Sequence, residues 1–200
     1  MSILFPAPIR PWISLDIKFT IVLNFFIPTD YFVFYCSKTY KRPFVGLAAI
    51  ENEVISWDKK IKDDGEFYVE GDPRPYRGWK ENGHGRVDMR KAIAESSDVY
   101  FYTIAFDLTL AGIRPMLDSF GFGKKTGLTD FEANGLLPDK KWKLGYKGDF
   151  WFKGDTINLG IGQGYILATP LQLAMAYSGL ANKGVILSLI HISEPTRLQQ

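Results

Sequence analysis

Ser96-Ser97-Asp98 is the first group of side chains in this 200-residue chain with the types and spacing for proton-transfer chemistry. Two hydroxyls and a carboxylate stand between Ala92-Ile93 on one side and Val99-Tyr100 on the other. Ser and Asp compete with the helical backbone for hydrogen bonds, so such a cluster inside a helix is a local inconsistency. A polar site facing a cleft explains it, and so does a solvated helix face. Ser37 with Lys41 is the second candidate. A serine hydroxyl becomes a nucleophile when a base lies within hydrogen-bond reach, and residues three or four apart share one face of a helix. The usual spacing is Ser-x-x-Lys. Here Tyr40 holds the fourth position, Lys41 comes after it, and Lys38 is adjacent to the serine.

Three further groups carry functional side chains. Lys125-Thr126-Gly127 also belongs to the motif set of serine acyl-transfer enzymes, where it lies on a strand lining the site. Here it comes after Gly121-Phe122-Gly123 and leads into a polar stretch, so it reads as a turn. Gly160-Ile161-Gly162-Gln163-Gly164 precedes an expected helix. A phosphate-cradling loop needs its last glycine at the helix N-terminus, and Tyr165 to Thr169 intervene, so a tight backbone crossing is expected. Trp142, Tyr146, Phe150, Trp151 and Phe152 form an aromatic run among lysines, suited to gripping a glycan or to capping a core. His84 and His191 show no metal-ligand spacing with Cys36.

The elements that must position these groups are set by periodicity and punctuation. Asp88 is a candidate N-cap, and Met89, Ala92, Ile93, Val99, Tyr100, Ile104 and Leu108 recur near the helical period, which predicts one long helix carrying Ser96 and Asp98. Pro115 to Phe120 predicts a second, shorter helix stopped by Gly121 and Gly123. Pro43 to Asn52 suits a short helix with proline in its first turn. Ser56 to Arg86 is rich in Asp-Gly, Asp-Pro and Gly and reads as short strands and loops. Thr169-Pro170 marks another helix start, with Leu171, Leu173, Ala174, Met175, Tyr177 and Leu180 behind it.

Composition narrows the classes. The chain is 46% hydrophobic and 23% charged, an ordinary globular balance that argues against disorder and collagen-like repeats. With 24 basic and 22 acidic residues the net charge is +2, which removes the electrostatic support for nucleic-acid binding. One cysteine forbids an internal disulfide framework. The most apolar window, Ile17 to Cys36, contains Lys18, Asn24, Pro28, Thr29 and Asp30 and does not read as a membrane span. Met1 to Trp12 lacks the order of a signal peptide.

Four blocks in one order are then less generic. Trp79-Lys-Glu-Asn-Gly-His-Gly85, Ala92-Ile-Ala-Glu-Ser-Ser-Asp-Val-Tyr-Phe-Tyr102, Phe120-Gly-Phe-Gly123 and the stretch from Gly154 to Ala174 resemble the penicillin-binding protein 2 family, the class B, elongation-specific peptidoglycan D,D-transpeptidases. The resemblance runs over residues 43 to about 186, about 70% of the chain. It implies an α+β class and a partial penicillin-binding-protein transpeptidase fold, serine β-lactamase-like, of which this chain holds mainly the helical subdomain. It implies acyl transfer by a serine from the penultimate D-alanine of a stem peptide to a second strand's amine, with β-lactams mimicking the donor. No cofactor is implied. Peptidoglycan stem peptides, β-lactams, the elongation machinery and a glycosyltransferase are the implied partners. The parent protein is expected at the inner membrane, with this domain in the periplasm or otherwise outside the cytoplasm.

Residue by residue, Ser96 and Asp98 match the family's second motif, Ser relaying a proton toward the leaving amine and Asp ordering the lysine and the substrate amide. Pro43-Phe44-Val45 matches the segment directly after the first motif. Before it stands Cys36-Ser37-Lys38-Thr39-Tyr40-Lys41-Arg42, with Lys38 and Arg42 inserted relative to the expected Gly-Ser-Thr-Tyr-Lys. Ser37 is the nucleophile candidate and Lys41 the base candidate. One inserted residue rotates a helical side chain by about 100°. Some members hold a metal beside the second motif through His, Asp and Cys. His84 is present, but Gly78 and Ser97 stand at the places of acidic and thiol ligands, so no metal is expected.

The third motif of the family is expected beyond the helix opened by Thr169-Pro170, and Lys125-Thr126-Gly127 is not in its place. Residues 1–36 are expected to be unrelated to the domain, residues 37–186 to be a partial transpeptidase domain, and residues 187–200, beginning Leu187-Ser-Leu-Ile-His-Ile-Ser, to derive from a sequencing adaptor. The isolated chain is accordingly expected to lack transpeptidase activity. Other functions weighed are a serine β-lactamase or D,D-carboxypeptidase on the same fold, and a non-catalytic glycan-binding module built on residues 142–152.

Overall fold

Two helices meet at the serine cluster where the sequence predicts one. The computed structural model describes residues 38–187. A 3₁₀ turn, Lys38–Lys41, leads into α1 (Arg42–Glu51), and four short strands come next: β1 (Ile61–Asp63), β2 (Glu66–Phe67), β3 (Tyr76–Arg77) and β4 (Gly85–Val87). The remaining elements are α2 (Met89–Ala94), α3 (Asp98–Ser119), α4 (Lys140–Lys147), α5 (Lys153–Gly160) and α6 (Pro170–Ala181).

Asp88 does cap a helix, its carboxylate accepting from the Lys91 N–H at 2.9 Å, but that helix is α2 and it ends at Ala94. Ser96 takes a left-handed conformation, φ 59°, and the Ser97 N–H closes back on the Ala92 carbonyl at 3.0 Å. That six-to-one closure with a left-handed residue before it is a Schellman-type stop. Ser97 then restarts the chain as the N-cap of α3, its Oγ accepting from the Tyr100 N–H at 3.2 Å. The polar residues that conflict with a continuous helix are therefore the break itself.

The break expected before Pro115 lies elsewhere as well. Asp98–Ser119 is one assigned helix with a kink at Thr109, φ 61° and ψ 175°, and Pro115 sits inside its second half. A side chain at Gly112 would come within 2.4 Å of Leu108 Cδ1 across that kink.

α3 is the spine. α1 lies along it, and α5 crosses it so closely that a Cβ on Gly160 would stand 2.2 Å from the Ala105 Cβ. Gly160 thus makes the tight crossing expected of the glycine-rich stretch, while Gly162 and Gly164 turn the chain at positive φ. Phe44 of α1 anchors the core, its ring centroid 4.9 Å from Phe120, 5.3 Å from Phe122 and 5.2 Å from Tyr177. α6 begins where the sequence places it, with a reciprocal capping box between Thr169 and Gln172.

The strands form two antiparallel ribbons. β1 pairs with β4 (Ile61↔Val87, Lys62↔Arg86, Asp63↔Gly85), and β2 with β3 (Glu66↔Arg77, Phe67↔Tyr76). Gly83, φ 65°, lets the strand-connecting loop press onto β1, since a Cβ there would lie 2.1 Å from the Asp63 carbonyl oxygen. Residues 1–37 and 188–200, including Cys36, Ser37 and His191, lie outside the described residues, and so do the expectations about both ends.

Candidate active site

The Schellman stop turns Ser96 and Asp98 toward the N-terminus of α1 rather than into solvent. Asp98, first residue of α3, is buried, and Ser96 is half-buried. Arg42, first residue of α1, reaches both. Its Nη1 donates to Ser96 Oγ at 2.6 Å, and its Nη2 pairs with Asp98 Oδ1. The guanidinium also lies over the Phe101 ring, 5.4 Å from its centroid. Burial lowers the Arg42 pKa, while the charge of Asp98 and its hydrogen bond oppose that loss.

Trp79 completes the enclosure from the loop after β3. Its backbone N–H donates to the other Asp98 oxygen at 2.9 Å, and its indole N–H donates to the Ser96 carbonyl at 3.0 Å. Both oxygens of Asp98 are satisfied, one by a cation and one by a backbone amide. Such a carboxylate is held rigidly and oriented.

Arg42 is thus a cation on the serine motif, one residue beyond the base candidate Lys41. Lys41 is buried at the end of the 3₁₀ turn. The functional side chains missed by sequence reasoning are Arg42, Trp79 and Asp63. Trp79 opens the first of the four family-like blocks, and Arg42 was visible as an insertion beside proline. Asp63 had no local signal at all.

Asp63 organises a second layer behind the motif. Its Oδ2 accepts from Ser97 Oγ at 2.6 Å and lies 2.6 Å from His84 Nδ1, and its Oδ1 accepts from the Gly65 N–H at 2.9 Å. Burial by itself raises the Asp63 pKa, but the hydrogen bonds from Ser97, Gly65 and His84 outweigh it and leave the carboxyl below its ordinary value. Ser97 thus ties β1 to the start of α3 while capping α3. The Trp79 ring covers His84 edge-on at 5.4 Å.

The donor set of this layer does not suit a metal ion. Gly78 has no side-chain donor, and Ser97 offers a neutral hydroxyl already given to Asp63 where a thiolate is wanted. Among the described residues no group of three or more His, Cys, Asp or Glu is placed to hold a metal ion.

The remaining motifs make local structural contacts. Lys125-Thr126-Gly127 is a turn, with Gly127 at φ 85°. Glu132 gathers the N–H groups of Thr126, Gly127 and Thr129 and the Thr126 hydroxyl. Burial raises its pKa, but these hydrogen bonds prevail and hold it at about 2. The aromatic run divides. Trp151 Nε1 donates to Thr156 Oγ1 at 2.8 Å and anchors α5, whereas Tyr146, Phe150 and Phe152 stay exposed.

Comparison with known proteins places this geometry. Residues 39–197 match the family described as penicillin binding protein transpeptidase domain. The peptidoglycan D,D-transpeptidase MrdA of Acinetobacter baumannii is 41% identical over 144 residues, 72% of this chain and 21% of that protein. The Escherichia coli K12 protein of the same name is 36% identical over 146 residues, 72% of this chain and 23% of its own length. Pseudomonas aeruginosa PBP2, solved in complex with WCK 5153, superposes with a TM-score of 0.69 at 38% identity, covering 72% of this chain and 33% of that one. Helicobacter pylori PBP2, solved in complex with MreC, gives 0.66 at 39% identity, covering 71% and 26%. The chain therefore spans between a fifth and a quarter of the curated relatives it matches.

Proposed function

This chain belongs to the penicillin-binding protein transpeptidase family, and we propose that it is the helical portion of a peptidoglycan D,D-transpeptidase of the PBP2 type, acting in cell elongation. The observation that carries the reading is the inward-turned pair Ser96 and Asp98, enclosed by Arg42 and Trp79 at the junction of α1, α2 and α3.

In the parent reaction a serine oxygen attacks the carbonyl carbon of the penultimate D-alanine. The peptide C–N bond breaks, and terminal D-alanine leaves with a proton. The amine of a second stem peptide then attacks the ester, forms a new amide and returns the proton to the serine. In this reading Ser96 passes a proton between nucleophile and leaving amine, a role supported by its place against Arg42, from which its Oγ accepts, since a hydroxyl can accept and donate at once. Asp98 holds the cation beside it through charge and a satisfied hydrogen-bond shell. Asp63, His84 and Ser97 position the start of α3.

The sequence offers Ser37 and Lys41 for nucleophile and base. The 200-residue chain by itself is proposed to be without transpeptidase activity. Incubation with a fluorescent penicillin tests this, the expected result being no covalent label, and a label on Ser37 would overturn it. For the parent protein we propose stem peptides as substrate, β-lactams as covalent inhibitors, and an elongation complex with an MreC-type scaffold and a glycosyltransferase as partners, at the inner membrane. Among the described residues no helix is long and apolar enough to cross a membrane.

A further inference from the structure

The second half of α3 borders a cleft of about 790 Å³ that shares no residue with the Ser96 site. A volume of that size suits a small organic ligand. Phe106 and Leu110 of α3 line it together with Trp151 and Phe152, the two residues just before α5. Lys140 and Lys141, the first two residues of α4, and Lys153, the first of α5, line the same cleft. All three lysines are exposed, and none forms an ion pair with a described residue. Their charge has the wrong sign for their positions. A helix N-terminus is the positive end of the helix dipole, which favours acids in the first turn and disfavours lysines. The two nearby acids are already engaged. Asp139 accepts from the Trp142 N–H at 2.7 Å, and Asp155 accepts from the Phe152 N–H and from Lys143 Nζ at 2.7 Å each.

Two further features belong to the same lining. Arg114 adds a fourth cation, its Nη2 3.6 Å from Asp139 and its Nε buried without a hydrogen-bond partner. Thr109 holds φ 61° and ψ 175°, a backbone that residues with a side chain rarely adopt, and such strained residues gather at ligand sites. Four cations against one carboxylate leave few side-chain acceptors for the hydroxyls of a neutral sugar. A phosphate monoester brings a charge of about −1.5 to −2 at neutral pH and three acceptor oxygens, which matches the excess of donors. The rings and Leu110 match an apolar alcohol on its other side. We propose that this cleft binds the phosphate monoester of an apolar alcohol, with the head group among Lys140, Lys141 and Lys153 and the apolar part against Trp151 and Phe152. The proposal stands independently of the transpeptidase reading above.

The 200-residue chain is titrated calorimetrically with octyl phosphate below its micelle concentration. Inorganic phosphate supplies the head without the chain, and octyl glucoside supplies the chain without the anion. The expected result is saturable binding of octyl phosphate, at least about tenfold tighter than either partial probe and weakening as salt rises from about 0.05 to 0.5 M. Lys140→Gln/Lys153→Gln should weaken it at least about threefold. Lys59→Gln/Lys60→Gln, which alters exposed lysines outside the cleft, should leave it unchanged. A urea transition recorded for each variant separates lost binding from lost folding. The proposal is overturned by no saturable binding of octyl phosphate, by octyl glucoside or inorganic phosphate binding as tightly, or by equal losses in the two lysine pairs. A parent chain without a cooperative urea transition removes the cleft and the proposal with it.

Discussion

Replacing Arg42 by alanine removes the cation that joins α1 to α3. Arg42 is 3% exposed and the Asp98 side chain 11%, so neither charge is well hydrated. Removing one member of a buried pair costs about 3–5 kcal/mol, because the survivor remains buried without its counter-charge. Asp98 keeps one hydrogen bond, from the Trp79 N–H, which argues for the lower part of that range, about 3–4 kcal/mol. For a domain of this size each kcal/mol moves Tm by about 2–4 °C, so a fall of about 6–16 °C is expected. Urea denaturation of the 200-residue chain, followed by tryptophan fluorescence, measures the loss. Lys62→Ala is the comparison: its pair with Asp64 spans 2.7 Å but is 74% and 62% exposed, and such pairs contribute about 0–1 kcal/mol. The Arg42→Ala/Asp98→Ala double variant should recover part of the loss, since it leaves neither charge of the pair buried alone. If Arg42→Ala costs no more than Lys62→Ala, or if the double variant loses the full sum, the ion pair does not anchor the site.

Three other outcomes rest on local contacts. The Asp63 carboxyl is held below its ordinary value of 3.8, so its stabilisation is complete above about pH 4 and is lost as pH falls through the lower folded value; Ser97→Ala should move the acid unfolding midpoint to higher pH, and an unchanged acid limb would show that the Ser97 bond does not matter. Gly160→Ala should destabilise by about 1–3 kcal/mol through overpacking against Ala105, outweighing the helix-propensity gain of about 1 kcal/mol, and a raised urea midpoint would contradict the close crossing. Glu132→Ala should open the turn at 126–129 to limited proteolysis, and cleavage no faster than in the unaltered chain would show that the four hydrogen bonds to Glu132 do not hold it.

Much of the chain's local grammar was legible in one dimension. Thr169-Pro170 opens α6, Asp88 caps α2, Gly160 makes a tight crossing and Lys125-Thr126-Gly127 forms a turn. Each is decided by residues within a few positions of one another, through a cap, a missing N–H or a missing Cβ. The ordered blocks from Trp79 to Ala174 likewise carry the family in the sequence itself.

Only the folded chain decided how the site is assembled. The periodic stretch from Asp88 to Leu108 reads as one helix because apolar period ignores the competing hydrogen bonds of Ser96 and Ser97, and the Asp63 carboxylate that favours the break by accepting from Ser97 comes from 34 residues away. Arg42 reaches Ser96 and Asp98 across 54 and 56 residues of chain. Neighbouring positions on a helix differ by about 100° in direction, and which of two adjacent cations meets a distant carboxylate depends on how α1 docks along α3. Spacing fixes faces within one element, and packing between elements fixes which face meets which.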